Sequence, residues 1–428
     1  MKKIVAYLFQ HVKIEYDSAM EKLPEIQLPA TLRERLAQGH PWVYRSHVDP
    51  NLALPTGAWV RVRCGSWSGY ALWDAAGPIA LRIFSERQAP NLNWLDDQIR
   101  MAWDLREPLR AAGCTAYRWL FGEGDGLPGL TVDRYGSYAV AQAYSAATET
   151  LLPQLAQALH ECDPALRGVL ARWRGDGDEE TPDENAAQVS GLAGPHTRRV
   201  SLLWGEEPPI DLTVIEHGLR FQADLRLGQK TGLFLDQREN RRTVERLSSG
   251  RSVLNCFAYT GGFSLYALRG GAHEVVSVDI GKGLAEAAAT NIALSKLDPT
   301  RHEFVTGDCF DLLARYAEQN RRFDIVILDP PSFAKSKQNR YAALRAYTRL
   351  NALGLRCVTP GGLLVSSSCT SQVSQEAFRE VLAVAAASVG QRLQIIHEAG
   401  QPLDHPVPAQ FPEGRYLKFV VTRVSAVH

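Results

Sequence analysis

Two short turns hold the residue types that could carry covalent chemistry. The first is Asp329-Pro330-Pro331-Ser332-Phe333, which follows the almost continuous apolar run Phe323–Leu328. Two prolines fix the backbone there. Asp329 can accept a hydrogen bond from an exocyclic amine, and Phe333 can stack on a base. The second turn is Ser366-Ser367-Ser368-Cys369-Thr370 at the end of another apolar run. A Cys369 thiolate could attack carbon 6 of a pyrimidine and make carbon 5 nucleophilic enough to take a methyl group. The plainer alternatives are a rigid strand-to-helix turn for Asp329 and a small buried thiol for Cys369. Lys335, Lys337, Arg340, Arg345 and Arg349 follow the first turn, with no acid between Ala334 and Asn351. This is either a solvated face or a track for nucleic-acid phosphates.

These turns need a scaffold that brings them to one edge. Arg251–Ile280 reads as strand, glycine turn, helix and strand, which is one βαβ half of a doubly wound α/β sheet. Such sheets bind ligands at the carboxyl ends of their strands. The turn offers Gly261-Gly262 and no G-x-G-x-x-G, so a pyrophosphate is poorly provided for. A nucleoside cofactor without phosphates, such as S-adenosylmethionine, needs only close backbone approach at Gly261 and an acid for its ribose. Asp279, ending the second strand, suits the ribose, and Asp308, ending the third, suits the adenine amino group. Ordinary turn glycines are the competing reading. Strands four and five are neighbours in a sheet of this kind, which would set Asp329 beside Cys369. His405, in Asp404-His405-Pro406, is the best candidate for a late-acting base, although a loop histidine in a Pro-rich turn is more often structural.

The remaining 428-residue chain divides by composition. Residues 1–27 read as an extension. Residues 28–100 contain strand candidates at 58–63, 68–73 and 79–84 separated by glycine turns, the pattern of a small β-barrel. Seven arginines face four acids between Thr31 and Pro90, on a chain whose net charge is zero. With Trp42, Tyr44, Trp67 and Tyr70 among them, they suit either RNA contacts or an ordinary core. Residues 101–215 read as a central α+β module. It has a helix over 101–112 containing Pro108 and an acidic, Gly- and Pro-containing surface loop at 174–184. Residues 216–428 form the α/β domain, beginning with a strand over 217–221. Seven cysteines without a C-x-x-C pair argue against a disulfide framework or metal ribbon. No apolar run approaches the roughly 20 residues of a membrane span, so a cytoplasmic protein is expected.

The chain resembles the large-subunit ribosomal RNA methyltransferase I family of 23S rRNA 5-methylcytosine enzymes. The resemblance rests on Gly39-His40-Pro41-Trp42-Val43, GEGDGLPGLTVDRYG (122–136), GQKTGLFLDQRENR (228–241), LNCFAYTGGFS (254–264), LDPPSFAKSK (328–337), SSSCTS (366–371) and DHPVPAQFPEGRYLK (404–418). It implies an N-terminal PUA-type RNA-binding barrel, a central α+β domain and a class I, Rossmann-like methyltransferase domain. It also implies Cys369 as nucleophile, Asp329 orienting the cytosine, and Asp236, Asn255, Phe257, Tyr259, Asp279 and Asp308 around S-adenosylmethionine. Phe333, Lys335 and Lys337 fall to the RNA substrate, and homodimers are common in the family. Two other readings stay open on the residues themselves: N-methylation of an exocyclic amine, which needs no thiol, and a non-catalytic RNA-binding protein with a methyltransferase fold. A nicotinamide dehydrogenase is disfavoured by the missing phosphate loop.

Overall fold

The computed structural model describes residues 23–172, 200–226, 228, 232–334 and 337–426, with the backbone only of Lys337. The acidic loop 174–184, residues 1–22 and Lys335 lie outside them. No helix among the described residues is long and apolar enough to cross a membrane.

The first module is a five-stranded sheet in the order β1-β3-β4-β5-β2. Its strands are β1 (Glu25–Gln27), β2 (Trp42–Tyr44), β3 (Trp59–Cys64), β4 (Trp67–Trp73) and β5 (Ile79–Ser85). The three strands read from the sequence are present. The expected extension is shorter than 27 residues, because β1 pairs in parallel with β3 from Glu25. Several supposed RNA-contact residues are structural instead. Trp67 is buried in the barrel core, and buried Arg82 lies 3.6 Å from Asp74. Arg45 donates to the Gly77 carbonyl. Arg33, Arg35, Arg61 and Arg87 stay exposed.

The central sheet runs β10-β9-β8-β7-β6, formed by β6 (Ala116–Phe121), β7 (Leu130–Tyr135), β8 (Tyr138–Ala143), β9 (Gly168–Arg172) and β10 (Val200–Gly205). Its helices include α1 (Leu92–Leu105), α2 (Glu107–Ala111) and α3 (Leu152–Cys162). The single helix expected at 101–112 is two. Asn91 caps α1 by accepting from the Trp94 amide, and Pro108 lies in the first turn of α2, where its missing N–H costs nothing. Strand alternation divides the side chains of this sheet between two cores. Leu130, Val132, Ala139 and Ala141 pack on α1 and α3, while Tyr135, Tyr138 and Val140 join the core of the next module.

That join begins with a hairpin where one strand was expected. β11 (Thr213–Glu216) and β12 (Leu219–Gln222) flank His217-Gly218, with φ of 46° and 83°. Two left-handed residues make the twist-matched two-residue turn. The hairpin spans the expected boundary at 215–216. The Thr115 amide of the central module donates to Ile215, and the Gln222 amide donates to Asn291 of the α/β domain.

The α/β domain has seven strands: β13 (Ser252–Cys256), β14 (Glu274–Asp279), β15 (His302–Thr306), β16 (Phe323–Leu328), β17 (Val358–Cys369), β18 (Gln391–Ala399) and β19 (Leu417–Ala426). The order is β15-β14-β13-β16-β17-β19-β18. Strands β13 to β17 are mutually parallel, and β19 returns antiparallel between β17 and β18. The helices are α4 (Arg238–Leu247), α5 (Gly262–Arg269), α6 (Leu284–Leu294), α7 (Cys309–Glu318), α8 (Arg340–Arg356) and α9 (Gln375–Ser388). Helices α4 to α6 cover one face and α7 to α9 the other. Both faces are therefore buried, which accounts for the apolar runs of β13 and β16.

Candidate active site

The carboxyl ends of β13, β14, β16 and β17 share one edge, so the parallel register itself gathers the residues singled out by type. β14 ends on Asp279, whose carboxylate accepts from the Tyr259 amide at 2.8 Å and the Gly281 amide at 3.0 Å. It therefore ties the turn after β13 to the turn after β14.

The turn after β13 is unusual. Phe257 (φ 60°), Tyr259 (φ 48°) and Gly261 (φ 83°) are all left-handed. Two of these are bulky residues in a region that disfavours them, a strain kept only where the surroundings impose it. Here the Ala258 amide donates to Val278, the Phe257 amide to the Cys309 sulfur, and the Tyr259 hydroxyl to Gly232. A Cβ at Gly261 would press on Ala288 and Leu265 at 3.3 Å. The result is a closely packed glycine turn beside a fixed carboxylate at the start of α5. That donor set fits a nucleoside with ribose hydroxyls and no phosphate, as S-adenosylmethionine requires.

Two of the expected cofactor residues are occupied in other ways. Asp308 caps α7, its Oδ1 accepting from Phe310 and Asp311. Asn255 is fully enclosed. Its amide donates to Ser264 at 2.9 Å, and Ser264, Ser277 and His302 continue the chain beneath the turn. Burial holds His302 down to about 4, so this chain is uncharged.

Asp329 and Cys369 are brought together. Leu328 pairs with Ser366, so both turns leave the sheet side by side, and the Cys369 thiol lies 3.7 Å from the Pro330 carbonyl. Gln237 donates to Asp329 at 2.8 Å and is itself held by Asn240 at 2.6 Å. Neighbouring Asp236 is buried and accepts from the Tyr416 hydroxyl at 2.7 Å. The segment before α4 thus reaches the crevice, and Gln237 and Tyr416 are additions that sequence reasoning missed. Both stand inside quoted motifs, but residue type alone gave them no role.

Phe333 packs at the core edge, 4.7 Å from the Tyr347 ring and 6.3 Å from Phe310. Arg340, Arg345 and Arg349 line the exposed side of α8 next to it. His405 is no loop base. It is 3% exposed, its neutral form is favoured by burial, and it lies against Phe121 and Asp404 at a junction between modules. Among the described residues, no cluster of His, Cys, Asp or Glu could hold a metal ion.

Comparison with known proteins shows the family and the fold. Residues 185–405 match the family model of S-adenosylmethionine-dependent methyltransferases, and residues 26–86 match that of PUA-like domains. The chain is 35% identical over 398 residues to Ribosomal RNA large subunit methyltransferase I of Aeromonas salmonicida, covering 91% of this chain and 96% of that one. Identity to the protein of the same name from Photobacterium profundum is 36% over 394 residues, covering 90% and 95%. A solved methyltransferase complexed with SAH superposes with a TM-score of 0.80 at 24% identity, over 94% of this chain and all of that one.

Proposed function

The chain belongs to the S-adenosylmethionine-dependent methyltransferase family, and from that membership we propose that it forms 5-methylcytosine in large-subunit (23S) ribosomal RNA. The single observation that carries the chemistry is that the turns bearing Asp329 and Cys369 leave adjacent parallel strands side by side, with the Cys369 thiol 3.7 Å from the Pro330 carbonyl. The RNA substrate is supported by the relatives' names, the PUA-like domain and the arginine face of α8.

Asp279 and the backbone of residues 257–261 would hold the cofactor. Bound S-adenosylmethionine supplies an electrophilic methyl group, which the activated carbon 5 takes. The chain's own residues do the rest. The Cys369 thiolate adds to carbon 6, a carbon–sulfur bond forms, and the π electrons of the ring move toward carbon 5 and the carbonyl. Asp329, held by Gln237, orients the amino edge of the base. After methylation the carbon 5 proton leaves to a base. The carbon–sulfur bond then breaks, its electron pair returns to sulfur, and the double bond re-forms.

Cys369→Ala tests this. Methyl transfer to RNA is expected to vanish while S-adenosylmethionine binding, read by calorimetry, is unchanged. Near-normal turnover would sink the thiol chemistry and point to N-methylation of an exocyclic amine.

A further inference from the structure

Lys418 occupies a place where a lysine is costly. It sits on β19 opposite Ser368, next to the pair formed by Leu417 and Cys369, and is 4% exposed. Its ammonium donates to two backbone carbonyls, those of Thr370 and Tyr416. Among the described residues no carboxylate is hydrogen-bonded to it. A buried cation with no counter-charge is penalised by several kcal/mol. Two neutral carbonyls do not need a charge to satisfy them. The arrangement is accounted for if a negative charge develops nearby for part of the working cycle.

The candidate for that charge is one residue away. The Thr370 carbonyl that anchors the ammonium belongs to the residue following Cys369. Burial pushes Lys418 down to about 8, and a charge on Cys369 works in the opposite direction. Three other titratable groups lie near the sulfur among the described residues. Asp329 comes from the end of β16, Tyr347 from α8, and Tyr416 from the segment before β19. Burial, with the neighbouring negative groups, pushes both tyrosines up, so they stay neutral, and a carboxylate at Asp329 opposes a thiolate.

We propose that Lys418 is a positioning residue that holds negative charge on the Cys369 sulfur, both before attack on the pyrimidine and again after elimination. This rests on the reading of Cys369 as nucleophile. No bond to Lys418 is made or broken; the ammonium acts through the field it sets at the sulfur, anchored by the Thr370 carbonyl. Methionine at this position would fill the space and remove the charge, and arginine would keep the charge.

The test is the pH profile of Cys369 alkylation by iodoacetamide on the full chain without RNA, followed by peptide mass spectrometry. Cys369 is partly exposed and open to such a probe. In the unaltered protein, half-maximal alkylation is expected below the ordinary thiol value of about 8.5. Lys418→Met is expected to move it up by about one unit and slow alkylation at neutral pH about tenfold. Lys418→Arg should keep most of the unaltered profile. A Lys418→Met profile that overlays the unaltered one would overturn the proposal and leave the lysine as a clamp on two carbonyls. So would an unaltered profile centred at or above about 8.5, which needs no variant to fold. Failure of the nucleophile reading is distinguishable, since it appears as methyl transfer by Cys369→Ala, which alkylation does not measure.

Discussion

Asp404→Ala should be among the most damaging single changes to the fold, although Asp404 lies in a loop. Its carboxylate is fully buried and accepts both arms of Arg238, at 2.9 and 2.7 Å, as well as the Arg118 amide at 2.9 Å. Its carbonyl accepts from buried Arg106. Three segments far from Asp404 in the chain therefore meet on it: α4, β6 and the end of α1. Burial alone would raise the Asp404 carboxyl, but the Arg238 guanidinium overrides burial and holds it far below the usual carboxylate range. Alanine would leave a guanidinium with no exposed surface and only half-exposed Glu239, at 3.3 Å, as counter-charge, which costs about 3 kcal/mol. The stranded Arg118 amide adds about 1 kcal/mol or more. With a urea slope of about 3 kcal/mol/M, a loss of about 4 kcal/mol moves the unfolding midpoint down by about 1.3 M. The assay is urea unfolding followed by fluorescence. Arg238→Met added to Asp404→Ala should recover part of the loss, because the poorly compensated buried charge goes with it. A midpoint shift below about 0.3 M, at that same slope, would refute the argument. Since the native carboxyl is depressed, its contribution is full above about pH 4 and is lost as the pH falls.

Three further outcomes are expected. His217, in the hairpin turn, contacts Glu239 of α4 at 3.0 Å. Burial opposes its charge, but Cys114 and Glu239 raise it to about 9, and His217 lowers Glu239 to about 2. The pair's stabilisation is thus complete between about pH 4.5 and 6.5 and fades as the pH rises through about 9. Glu239 is half exposed, so the effect is about 1 kcal/mol or less. Glu239→Gln should flatten the difference in urea midpoint between pH 6 and 9.5, and an unchanged difference would count against the pair. Asp279→Ala releases the Tyr259 and Gly281 amides, and calorimetry should show S-adenosylmethionine affinity falling at least about tenfold. Gly124→Ala would set a Cβ 1.9 Å from the Pro406 carbonyl. Forcing that backbone apart should cost about 2 kcal/mol or more, read as a lower melting temperature.

The pieces legible in the sequence were those governed by local pattern. Buried parallel strands read as apolar runs and end where polarity returns, so Asp279, Asp329 and Cys369 could be placed at strand ends from the chain alone. Barrel strands β3 to β5 were equally plain, because glycine turns punctuate them. Local pattern failed where a residue's role depends on a distant partner. Trp67 and Arg82 have the types of an RNA surface, yet both are buried in the folded barrel. Asn255 stands inside a cofactor motif, but its side chain turns beneath α5 toward Ser264. Gln237, Tyr416 and Lys418 reach the crevice because β19 returns antiparallel beside β17 and the segment before α4 crosses the same edge. His405 takes the structural role usual for a histidine in a Pro-rich turn, although its contact with Phe121 comes from elsewhere in the chain and has no local signal.

The central claim is that a covalent bond joins Cys369 to the pyrimidine during methyl transfer. RNA carrying 5-fluorocytidine should arrest that cycle, since fluorine at carbon 5 cannot leave as a proton. Incubated with the protein and S-adenosylmethionine, it should give a stable protein–RNA adduct whose peptide mass maps to Cys369. Normal methylation of unmodified RNA alongside no adduct at Cys369 would contradict the account.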